Sequence, residues 1–204
     1  MVTEARRGRE KLLMRHNILQ AARAIAATEG WPNVTIRKIA DAIEYSAPLI
    51  YKYFESKEAI LDELIAEGYG ILTAQASQAP QPGDSPRQAL LRIAPTFCRF
   101  AEQFPERYRV MNGLDGVPCR FSEPVENSEL FQITRPRLQA AAAAAGVSIA
   151  NLDAAIYMMW GTIHGLITLA LSNQISGGWP QTTALVQQAC ESLLNGWGVI
   201  KPAD

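Results

Sequence analysis

Residues 35–57 read TIRKIADAIEYSAPLIYKYFESK, two short apolar-faced segments joined by a polar turn. Ile36, Ile39, Ala40 and Ile43 recur at helical spacing, and the Thr35 hydroxyl ahead of them is placed to accept from a free amide of the first turn. Beyond Glu44 and Tyr45, Ser46 is placed to cap a second helix whose apolar side carries Leu49, Ile50, Tyr53 and Phe54. Two short helices around such a joint form a helix-turn-helix, which lays its second helix in the major groove of DNA.

Upstream, the basic run from Arg6 to Arg15 continues into Ile18, Ala21, Ala22, Ile25 and Ala26, one helical stripe. Gly30 is expected as its left-handed C-cap, Trp31-Pro32 stops it, and Trp31 is expected in the core. Downstream, Ser56 caps a fourth helix running through Ile60, Leu61, Leu64, Ile65 and Leu72 toward Ser77. The run APQPGDSP over 79–86 is the clearest break. Helical patterns then cover 87–104, interrupted by Pro95, and a short stretch from Pro105. A loop over 112–124 precedes helices at 127–145, 150–174 and 181–197. No strand-like alternation persists and no repeat is evident, so the expected fold is all-α with about nine helices. A three-helix domain spans 1–55, and a helical domain spans 56–204.

Charge sharpens this division. The net charge is −1, which rules out an argument from a globally basic surface. The first 54 residues nevertheless hold nine Lys/Arg against five Asp/Glu, and the remainder ten against fifteen, so the basic excess sits with the helix-turn-helix. Cys98, Cys119 and Cys190 are odd in number and widely spaced, which suits a reducing cytoplasm better than a disulfide framework or a zinc motif. The N-terminus lacks the apolar core of a signal peptide. Residues 154–172 contain no Asp, Glu, Lys or Arg and are long enough to span a bilayer. Thr162, His164, Thr168 and two glycines, with no basic flanks, place that segment in a protein interior, and no membrane partner is expected.

An enzyme has little material here. His164, the three cysteines and scattered carboxylates come with no glycine-rich phosphate loop, nucleophile elbow or metal-ligand spacing, so neither catalysis nor a cofactor nor a metal is expected. A helical adaptor that binds protein rather than DNA is the other alternative, and a salt-dependent DNA affinity separates the two.

Ile18-x-x-Ala21-Ala22, Gly30-aromatic, Thr35, Ile39-Ala40, Ser46, Tyr51-x-Tyr53-Phe54 and Lys57-Glu58-x-x-Leu61 resemble, in order and spacing, the bacterial TetR family of transcription regulators over residues 18–61. Trp160-x-x-x-His164-Gly165 is similar to the branch with a Trp-His-Gly motif in its C-terminal domain. The resemblance implies a homodimeric repressor on a palindromic double-stranded DNA operator, released by a small hydrophobic or amphipathic effector. Glu44 departs from the pattern, because the family often has glycine at that turn position, where positive φ is easier without a Cβ.

The resemblance also distributes roles. Thr35, Tyr51 and Lys57 match positions that hold the DNA backbone. The recognition-helix tip, Ala47-Pro48-Leu49, has no side-chain donor and suits thymine methyl groups, leaving polar reading to Arg37, Tyr45, Ser46 and Lys52, with Arg37 the candidate for guanine. Arg6, Arg7, Arg9 and Lys11 are an arm along the backbone or in the minor groove, or a plain tail. An effector pocket is implied, with Phe97, Phe100, Phe104, Tyr108 and Met111 as candidate lining from the middle of the chain. Phe131, Tyr157, Met158, Trp160 and His164 are the candidates further on. For each aromatic and for His164, ordinary core packing is the alternative. The implied dimer interface uses the last two helices, through a stripe of Ile156, Met159, Ile163, Ile167 and Ala170 with Gly161-x-x-x-Gly165. Leu185, Ala189, Leu193 and Trp197 form its second stripe.

Overall fold

The fold was obtained as a computed structural model, and the structure describes residues 2–118 and 125–200. Cys119 lies outside them. Among the described residues there are ten α-helices, two short 3-10 turns and no strand. The all-α expectation stands, with one helix more than the pattern suggested because 87–104 breaks at Arg92-Ile93 rather than at Pro95. Pro95 instead occupies a first helical turn, where a missing N–H has no partner to lose.

The chain forms two compact units, Met1–Gly68 with Phe104–Arg120 and Tyr69–Gln103 with Phe121–Asp204. The boundary expected at residues 55 and 56 falls inside the first of these. That unit contains α1 (Val2–Glu29), α2 (Ile36–Ala42), α3 (Ala47–Ile50), the first half of α4 (Lys57–Gln78) and α7 (Pro105–Met111).

Its core joins Ile18, Leu19, Ala22, Val34, Ile39, Ile50 and Phe54, all nearly inaccessible. Trp31 is 1% exposed, as the sequence implied, and its indole Nε1 donates to the Glu106 carbonyl at 2.7 Å, so α7 is pinned to the helix-turn-helix by a satisfied polar tip on an apolar ring. Gly30 ends α1 at φ 80°, ψ 158°, an extended mirror-region conformation rather than the left-handed helical cap expected; both need a residue without Cβ. Gly68 does a different job, since a Cβ there would collide with the Met111 side chain.

Arginines cross-link this unit from within. Arg15 lies over the Phe54 ring at 4.1 Å, donates to the Tyr53 carbonyl at 2.5 Å and pairs with Glu63 of α4. Buried Arg23 pairs with Glu67 at 2.5 Å. Arg107 stacks on Phe104 at 4.9 Å, and burial followed by the nearby Arg23 charge holds its pKa below the ordinary arginine value.

The second unit holds the rest of α4, α5 (Pro86–Leu91), α6 (Ala94–Gln103), α8 (Glu129–Ala144), α9 (Leu152–Leu171) and α10 (Gly178–Gly196). Three of its helix starts carry explicit side-chain caps. Ser85 and Gln88 form a reciprocal capping box on α5, Ser128 accepts from Phe131 N on α8, and Asn151 accepts from Ala154 N on α9. α5 packs on α8, and α10 on both α9 and α6, around Phe100, Leu138, Ile167, Val186 and Leu194.

Candidate nucleic-acid interface and effector cavity

The helix-turn-helix is set by backbone as much as by side chains. Thr35 caps α2 by accepting from Lys38 N at 3.2 Å. The turn closes with Tyr45 N donating to Ala40 O at 2.9 Å, and Glu44 sits at φ 60° in the left-handed region. The position that departs from the family's usual glycine therefore keeps the glycine conformation, at a cost of about 1 kcal/mol for a residue with a Cβ. α3 is a single turn, followed by tight turns to Tyr53. Ser46 stands at its N-cap in extended backbone but makes no side-chain capping bond, contrary to the expected cap; its exposed hydroxyl is left for another partner.

The proposed DNA contacts divide by exposure. Arg37, Tyr45, Ser46, Pro48, Tyr51 and Lys52 are exposed, and Ala47 and Leu49 are half-buried against the helix pair. The Arg37 side chain is 90% exposed, with Asp41 4.0 Å away, so it is held by no strong ion pair. Lys57 is less free than its neighbours, because its ammonium donates to the Trp31 carbonyl at 3.2 Å. The basic run around Arg6, Arg7, Arg9 and Lys11 is the exposed first part of α1, with Arg6 paired to Glu10 at 2.8 Å, rather than an extended arm.

The second unit holds a cavity of about 50 Å³ between α4, α5, α6, α8 and α9. Of the candidate pocket residues, Phe97, Phe131 and Trp160 line it. The other anticipated lining residues lie elsewhere. Phe100 is a fully buried core residue, while Phe104, Tyr108 and Met111 belong to the first unit. Tyr157 and Met158 face outward at 38% and 56% exposure, and half-buried His164 is outside the lining, its pKa lowered by burial. The Tyr157 hydroxyl donates to Glu126 at 2.5 Å, which raises its pKa to about 12 and lowers that of the carboxylate.

Residues that pattern reading missed complete the wall. Leu90, Ile93, Ile156, Met159 and Ile163 supply apolar surface, and Tyr69, Ser128 and Thr134 join them, the Ser128 and Thr134 hydroxyls being bonded to the backbone of α8. Among the described residues, no charged side chain lines the cavity. A signal for Ile93 and Ala94 was available in the stripe shared with Phe97, whereas Tyr69 sits mid-way along an otherwise ordinary helix.

Residues 18–64 match the family described as bacterial regulatory proteins, tetR family, and residues 90–193 match the tetracyclin repressor-like C-terminal domain. The chain belongs to the TetR family. Its fold is shared with a Rhodococcus sp. RHA1 protein of unknown function, at 24% identity and TM-score 0.75, covering 90% of this chain and 95% of that one. It is also shared with the TetR-family regulator PfmR from Thermus thermophilus, at 19% identity and TM-score 0.64, covering 87% and 97%. RolR, solved with resorcinol as ligand, matches at 19% identity and TM-score 0.65, covering 94% and 91%. No curated protein matches the sequence.

In this TetR-family chain α9 is long and apolar enough to cross a membrane, yet it packs against α6, α8 and α10. Its expected interface stripe is turned inward. Ile156, Met159, Ile163 and Ile167 are at most 5% exposed within the subunit, and the first three line the cavity, so they are not available to a second copy. Ala170 is half-buried. The outward side of α9 instead carries Tyr157, Met158, Gly161, Gly165 and Leu169. On α10, Leu185, Ala189, Leu193 and Trp197 are half-buried, and Thr182, Val186, Cys190 and Leu194 form the inward stripe. Cys98 and Cys190 are buried thiols whose pKa burial raises to about 11 and about 12, which makes both poor nucleophiles.

Proposed function

We propose that this TetR-family protein is a cytoplasmic, dimeric repressor that binds a roughly palindromic operator and is released by a small uncharged apolar or amphipathic effector, and that it has no catalytic activity. The observation that carries the reading is the exposed polar set around the helix-turn-helix, Arg37, Tyr45, Ser46 and Tyr51, on a unit whose internal arginines are already paired. Thr35, Tyr51 and Lys57 hold the DNA backbone, and Arg37, Tyr45, Ser46 and Lys52 read bases beside the apolar Ala47-Pro48-Leu49 tip. Assignment to the Trp-His-Gly branch rests on Trp160, His164 and Gly165 in the middle of α9.

The charge-free lining of the cavity supports an uncharged effector, because a buried ion there would find no partner. RolR, a structural relative, was solved with resorcinol, a ligand of that kind. At about 50 Å³ the cavity is smaller than the ~150 Å³ that accommodates benzene, so a ring-sized effector enters only when side chains or helices part. Such a ligand binds the expanded conformer better than the closed one, which is the differential affinity a switch requires. α4 carries the change, since the same helix supplies Glu63 and Glu67 to arginine pairs and Tyr69 to the cavity wall.

For the dimer, the outward faces of α9 and α10 form the interface, with Gly161 and Gly165 permitting close helix approach; a Cβ at either meets nothing within the subunit. Two copies then present two recognition helices about one DNA turn, ~34 Å, apart. The test is selection of genomic fragments by the full-length protein at several salt concentrations, followed by sequencing. Enrichment of an inverted repeat near a promoter, with affinity falling as salt rises, is the expected result; no enriched motif, or salt-independent retention, overturns it and favours the adaptor reading.

A further inference from the structure

The second unit carries two adjoining surface clefts, of about 450 and 460 Å³, that share Ala79, Gln81 and Arg99 as a common wall. Their chemistry is the opposite of the inner cavity's. Glutamines line them from α4, the 79–85 segment, α5, α6 and α10, and Thr183, whose hydroxyl also meets the Cys98 thiol, adds a hydroxyl, while among the described residues no carboxylate lines either one. Two guanidiniums are present, and they are not equivalent. Arg92 is neutralised by Asp84 at 2.7 Å, whose own side chain is 8% exposed and whose pKa is lowered by the Gln81 amide first and by Arg92 as well. Arg99 makes no ion pair or hydrogen bond among the described residues.

We propose that this Arg99-centred cleft is a second small-molecule site, distinct from the apolar cavity, and that it takes a polyhydroxylated organic monoanion such as a sugar acid. One free guanidinium supplies one positive charge and a planar fork that fits a carboxylate. Glutamine amides offer both donors and acceptors, which suits the hydroxyls of such a molecule and gives no advantage to an apolar one. The position stays open in the proposed dimer. Thr183 and Gln187 are offset by two residues, about 200° of helical turn, from the Leu185 and Ala189 stripe of α10.

The two sites meet on α6, where Ala94 and Phe97 face the inner cavity and Pro95 and Arg99 face the cleft. Occupancy of one biases the helix that walls the other, and any such coupling is reciprocal. The proposal does not depend on DNA binding and is tested on the full-length protein without operator.

Isothermal titration with D-gluconate at physiological salt is the measurement, with D-glucose as the uncharged probe and acetate as the probe without hydroxyls. Saturable gluconate binding is expected, with glucose and acetate each at least about tenfold weaker, and Arg99→Gln weakening gluconate about tenfold. Gln187→Ala weakens it a few-fold. Because Arg99 is exposed, its replacement leaves the helical circular-dichroism signal and melting temperature unchanged. Absence of gluconate binding, equal binding of glucose or acetate, or unaltered affinity in Arg99→Gln overturns the proposal.

Discussion

The two units use their polar groups in opposite ways. In the first, arginines are structural: Arg15 and Arg23 tie α1 to Glu63 and Glu67 of α4, and a tryptophan hydrogen bond holds α7, so that Arg37, Tyr45 and Tyr51 stand free on a stiff frame. In the second, the interior is apolar and slightly underfilled, and the outward side of α9 is apolar as well, through Met158, Gly161, Gly165 and Leu169. A rigid surface that reads a fixed partner needs its polar groups locked beneath it, because each mobile group would add an ordering cost on binding. A unit that responds to a ligand needs the reverse, an interior that a few contacts can repack.

The sharpest way to break this contrast is at Trp31. Trp31→Ala removes a fully buried ring and its bond to Glu106, and is expected to cost about 3–5 kcal/mol, seen as a large drop in the unfolding midpoint with loss of DNA binding. Retention of a wild-type midpoint would mean that the frame does not rest on α7. Next comes a pair on α9. Ile163→Ala, on the inward stripe, is expected to lower stability by about 2–4 kcal/mol by enlarging the cavity, whereas Leu169→Asp, on the outward side, leaves the subunit folded and shifts sedimentation toward monomer. If Leu169→Asp stays fully dimeric, the dimer lies on another face.

Arg37→Ala is expected to leave the unfolding midpoint unchanged, given its exposure, while operator affinity falls by about 1–3 kcal/mol and one base preference relaxes in a binding-site selection. Unchanged base preferences would remove Arg37 from the reading set. The smallest effect is at the turn. Glu44→Gly relieves the left-handed strain and is expected to stabilise the first unit by about 0.5–1 kcal/mol, a rise in midpoint measurable by calorimetry. A fall in midpoint would show that the Glu44 side chain does something its φ conceals.

Much of this was legible before any coordinates. The order of helices, the break at 79–86, the Thr35 and Ser56 caps, buried Trp31 and the awkward position of Glu44 all follow from spacing, capping chemistry and the φ preferences of residues with a Cβ, whereas the last helix begins at Gly178, three residues before the pattern placed it. These are local properties, decided within one or two turns of chain. The Ser46 cap failed because its recognition helix is a single turn entered through Pro48, too short for the capping pattern to govern it.

Which way α9 faces was not legible, and the reason is physical. With no charge from Ala154 to Ser172 the helix is apolar all round, so periodicity carries no phase; the most regular stripe, through Ile156 and Ile163, proved to be the one its own subunit buries. Likewise, nothing in residues 104–111 announces that Phe104, Tyr108 and Met111 pack in the unit of the helix-turn-helix rather than around the cavity. The sequence by itself determined most of the elements and the helix-turn-helix with its exposed polar residues, because those depend on neighbours in the chain. Only the tertiary structure decided the cavity, the free guanidinium of Arg99 and the outward face of α9, because each is defined by what packs against it from elsewhere in the fold.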